Sequence, residues 1–127
     1  MAGESKQGRT RRSAAERKRQ MIEAADAIIN RDRSADVSMR EIADTAGISR
    51  ALAYAYYPDR YRLLDALLQE HVDQLTAAGI IEAAQSGRLV ERACAVARIY
   101  LQHVAAHGTA LDVVVRGKNS FVAQVGI

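Results

Sequence analysis

The sequence predicts an all-α protein. A three-helix head with a helix-turn-helix comes first, then a long connecting helix and a short helical C-terminal part. Three observations predict it. Residues 38–57 read as helix, glycine turn, helix, with a serine ahead of each helix. Apolar residues recur at spacings of three and four along most of the chain, the mark of helices buried on one side. Pro occurs once and Trp not at all, which disfavours a β-protein rich in turns.

The first helix is expected from Ser13, with Glu16 three residues on as its capping-box partner. Met21, Ile22, Ala25, Ile28 and Ile29 form its stripe, and it should end between Asn30 and Arg33. Ser34 to Val37 link it to the second helix, where Ser38 and Glu41 make another capping box and Ile42 and Ala43 are the apolar pair. Gly47 can take the positive φ that ends this helix, and Ser49 caps the third. Pro58 forces Tyr57 out of helical geometry and stops it. Asp59 then serves as cap or first-turn acid of the connecting helix, whose stripe is Leu63, Leu64, Leu67, Leu68, Val72 and Leu75. The helical period extends to Gln85, with Gly79 as a point where it can break. Ser86-Gly87 is a stop. A further helix spans about Leu89 to Ala106, and Gly108 ends it. Residues 111–127 are less legible: Val113-Val114-Val115 is β-prone, yet a lone strand finds no partner here. The domain reading is therefore a flexible basic arm at 1–12, a helix-turn-helix domain at 13–58, and a partial regulatory or dimerisation domain at 59–127.

Composition narrows the function. Hydrophobic residues make up 49% and charged residues 26%, so the chain should fold. Residues 1–20 carry seven Lys and Arg against two Glu, a local charge of +5 within a total of +3. A basic start ahead of a near-neutral body suits a polyanionic partner. A single cysteine, Cys94, leaves no intrachain disulfide framework and fits a reducing cytoplasm. No apolar run reaches the roughly 18–20 residues of a membrane span, and no signal-peptide core is present, so a cytoplasmic protein without membrane contact is expected.

Catalytic signatures are missing. There is no phosphate-cradling glycine loop, no Gly-x-Ser-x-Gly elbow and no paired-carboxylate signature, so no catalytic residue and no cofactor are assigned. His103 and His107 sit four apart and can share a helix face. Two ligands are too few for a structural zinc site, so no metal is assigned and a packing or solvated role is expected. Cys94 is expected to pack as a small hydrophobe.

Two short helices joined by a tight turn are the arrangement that lays one helix in a DNA major groove. Arg50 stands at the start of the second of these helices, where base edges are usually met, and its guanidinium can grip guanine O6 and N7. Ala51 and Ala55 are small and let the helix sit close to the groove floor; Leu52 can meet a thymine methyl or pack in the core. Ser38 and Arg40 flank a helix start that favours a phosphate, and Ser49 caps the reading helix. Ala53 and Tyr57, with Ile48, should face the core. Arg9, Arg11 and Arg12 can reach an adjacent groove.

Four segments in matching order resemble the tetracycline-repressor (TetR) family. They are Met21-Ile22-Glu23-Ala24-Ala25 with Ile28-Ile29, Ser38 to Ala43, Ala46 to Ser49, and Tyr54 to Arg60 followed by Leu63-Leu64. The resemblance covers about residues 15–70. It implies a DNA-binding transcriptional regulator, more often a repressor, that holds a palindromic operator as a homodimer and answers a small-molecule effector. It also implies phosphate contacts from Tyr54, Tyr56 and Arg60. The family's C-terminal domain is about twice as long as the segment after Leu67, so a shortened one is expected here. Arg33 stands where the family often has glycine. The rival expectation is an interaction protein that pairs with a full-length relative and does not regulate alone, and a weaker one is a helical module for an apolar ligand.

Overall fold

The computed structural model describes the backbone of residues 2–125 and the side chains of residues 13–117. Seven helices follow one another, and no strand occurs among the described residues. They are α1 (Ala2–Asp32), α2 (Met39–Ala46), α3 (Arg50–Tyr56), α4 (Arg60–Ala77), α5 (Ile80–Gln85), α6 (Leu89–His107) and α7 (Ala110–Val125).

The predicted stripe of α1 becomes the spine of the head. Met21, Ala25, Ile28 and Ile29 are buried against Val37, Met39, Ile42 and Ala43 of α2 and its approach, Ala53 of α3, and Leu63, Leu64 and Leu67 of α4. Ala110 and Val114 of α7 complete the same core. The β-prone valines are therefore helical. Ala110 and Val114 are four apart and meet α1 and α4, and that tertiary contact overrides local strand preference. The core thus crosses residue 58, where sequence reading drew a domain boundary.

Three local features depart from expectation. α1 starts at Ala2, so Ser13 lies inside the helix and caps nothing; the arginines before it are good helix formers and supply no turn. The connecting helix ends at Ala77. Gly79 at φ 90° separates it from the short α5, realising the break foreseen there. Cys94 is exposed rather than packed, because α5 and α6 stand largely outside the core.

Caps set the helix-turn-helix. Ser38 Oγ accepts the Glu41 backbone N–H at 3.1 Å, and Ser49 Oγ accepts that of Leu52 at 3.1 Å. Asp59 Oδ1 accepts from Arg62 N at 2.9 Å and starts α4. Gly47 closes α2 at φ 73°, with its N–H reaching Asp44 O and Ile48 N reaching Ala43 O. Arg33 closes α1 in the same left-handed region at φ 54°, a conformation that costs a side-chain-bearing residue about 1 kcal/mol.

Two substitutions test this pair of turns. Space around Gly47 is open, so Gly47→Ala should suffer from backbone strain alone and lose about 1 kcal/mol. Arg33→Gly should leave stability equal or raise it by up to about 1 kcal/mol, the strain relieved being partly offset by unfolded-chain entropy. Urea unfolding midpoints measure both.

Candidate nucleic-acid interface

α3 is seven residues long and cannot stand alone in water, so tertiary contacts must hold it. Ala53 is fully buried, and Ile48, Tyr56 and Tyr57 pack around the same core. With that side anchored, Arg50, Ala51, Tyr54 and Ala55 are all exposed. Their spacing of i, i+1, i+4 and i+5 places them on one face of the helix. A cation leads this face, two alanines keep it thin, and a phenol half exposed at 50% stands beside them.

The other expected contacts differ in standing. Arg40 is exposed in the first turn of α2. Ser38 and Ser49 are exposed caps; each hydroxyl oxygen accepts a backbone N–H and keeps its own hydrogen to donate. Leu52 is half-buried. Tyr56 is half-buried too and packs on the core, so its ring supports α3 whatever its hydroxyl meets. The side chains of Arg9, Arg11 and Arg12 lie outside the described residues.

Arg60 arrives already engaged. Its Nη1 donates to Asp36 Oδ1 at 2.8 Å, its Nη2 to the Tyr61 hydroxyl at 3.3 Å, and its guanidinium stands 5.1 Å from the centre of the Tyr61 ring. Tyr61 and then Asp36 raise its pKa above the ordinary guanidinium value, so it stays cationic. The Asp36 side chain is 84% exposed, so this ion pair is solvent-screened and contributes little. A phosphate can take its place. Sequence reading missed Asp36 and Tyr61 as neighbours of Arg60, since nothing local marks a pair 24 residues apart.

Residues 21–67 match the family model of bacterial regulatory proteins, tetR family. The head is similar to the DNA-binding head of the tetR family. Comparison with curated proteins gives no match. The matched segment runs from the Met21 stripe to Leu67 and contains the whole helix-turn-helix. The match supports a DNA-binding transcription regulator. Among the described residues no helix is long and apolar enough to cross a membrane.

The two tyrosines of this head should separate in stability. Tyr56→Ala removes half-buried core contact and should cost roughly 1–3 kcal/mol; Tyr54→Ala should stay within about 0.5 kcal/mol. Thermal and urea unfolding of the two variants side by side checks this.

Proposed function

We propose that the protein is a repressor that binds a short palindromic operator as a homodimer and blocks access of polymerase. The observation that carries this reading is the α3 face of Arg50, Ala51, Tyr54 and Ala55, held outward by buried Ala53 and capped by Ser49. Arg50 reads a base edge. Arg40, Tyr54, Tyr56 and Arg60 hold phosphates around it, with Ser38 and Ser49 donating from their caps. Leu52 meets a thymine methyl at the margin of the face. Arg60 exchanges Asp36 for a phosphate on binding.

Two heads must be held about one helical turn apart to read a palindrome. The support for a dimer lies on α5 and α6, where Ile81, Leu89, Val90 and Leu101 are exposed, the last three at 64–73%. Apolar surface of that extent suits a second copy. An effector would act through the far end of α4, by changing how the heads are spaced. The same surface also suits pairing with a longer relative. Light scattering separates the two: a homodimer supports the first, and a monomer that dimerises when the relative is added supports the second.

Fluorescence anisotropy on duplex from the protein's own upstream region tests DNA binding. Affinity should fall steeply with salt. Arg50→Ala should weaken specific binding by about tenfold or more and relax the preference at one base pair. Arg40→Ala should weaken all duplexes alike and reduce the salt slope by about 1. Folded protein that fails to bind at low salt overturns the proposal.

A further inference from the structure

α6 is exposed along most of its length. Among its described residues His103 alone is buried, and α5 buries none. His103 therefore marks where α6 meets the rest of the molecule. Its Nε2 lies 2.8 Å from Nδ1 of His71 on α4, a second buried imidazole. Nε2 of His71 lies 3.0 Å from Asp26 Oδ1 on α1. Three helices are thus joined by two consecutive hydrogen bonds, beside a cavity of about 230 Å³.

We propose that Asp26, His71 and His103 form a proton-operated latch that ties α6 to the head at neutral pH and releases it on acidification. The proposal does not depend on which duplex the head binds.

Hydrogen counting leads to this. A carboxylate only accepts, so His71 Nε2 carries a hydrogen. In the neutral ring Nδ1 is then the acceptor, and the bond between the rings takes its hydrogen from His103 Nε2. One proton from solvent can be held by the pair, since a single hydrogen still lies between the facing nitrogens when one ring carries both of its hydrogens and the other turns to accept. A second proton puts a hydrogen on each of the two facing nitrogens. They cannot bond at 2.8 Å, and two like charges then share a buried site. The rings aim these nitrogens at each other, and no group of three His, Cys, Asp or Glu among the described residues is arranged to hold a metal ion. This is a site for a proton.

The surroundings act in the same direction. Burial first, then His71 and His107, lower the pKa of His103 from the usual 6.5, while Asp26 opposes them. The folded protein thus binds this proton less readily than the unfolded chain. The contribution to stability is present above about 6.5 and is lost as the pH falls below it. The other titratable groups lining the cavity are Arg19 and Glu23 on α1, Glu70 on α4 and His107 on α6. His107 is exposed, its ring centre 4.7 Å from that of His103. Sequence reading paired His103 with His107 and missed His71, whose signal was a histidine on the apolar stripe between Leu67 and Leu75.

The test uses the full chain and imidazole NMR with amide hydrogen exchange. His103 should titrate below 6.5. Asp26→Asn should lower that midpoint further, and His71→Gln should raise it. Amides of α6 around His103 should lose protection by about tenfold between about pH 7.5 and about pH 5, after correction for intrinsic exchange, while those around Ile42 keep theirs. His103→Gln can still donate to His71 but cannot titrate, so its α6 should show no such pH dependence. Equal protection of wild-type α6 at both pH values, or a pH dependence that survives in His103→Gln, overturns the latch.

Discussion

Burial of one side of α1 is the constraint from which the rest follows. Met21, Ala25, Ile28 and Ile29 present a continuous apolar strip, and α2, α3, α4 and α7 each place residues in the core that covers it. Helices as short as α2 and α3 have no independent stability. Their orientation is inherited from the strip. The exposure of Arg50 and Tyr54 is therefore a consequence of Ala53 being drawn inward.

Polar groups then sharpen what packing positions. Serine caps start α2 and α3 where the turns place them, and each leaves a hydroxyl hydrogen at a helix end that attracts anions. Asp36 and Tyr61 hold the Arg60 side chain, so its guanidinium is extended before any phosphate arrives. Ordering a long side chain in advance reduces the entropy lost on binding.

The helix-turn-helix was legible because its signals are local. Ser38, Gly47, Ser49 and Pro58 each act within four residues of themselves. The features that escaped depend on distant partners. Nothing near Tyr54 and Tyr56 says that one faces solvent and the other the core. Asp26, His71 and His103 lie 45 and 32 residues apart in sequence and meet through tertiary packing. Local preference left Val113 to Val115 open, and contact with α1 and α4 decided for helix. Pattern misled at Cys94, since a helical stripe implies burial only if another element comes to cover it.

The junction between α6 and α7 is clasped by α1. Asn30 donates to His107 O at 3.2 Å and accepts from Thr109 N at 2.9 Å. A Cβ on Gly108 would come within 2.5 Å of the Asn30 side chain, so that corner admits glycine alone. Beyond it, Ala110 and Val114 enter the head's core. During synthesis α1 to α4 leave the ribosome well before α7, with part of their apolar surface still bare. The nascent head stays incomplete until α7 returns to it, and that interval is when a chaperone has most to hold.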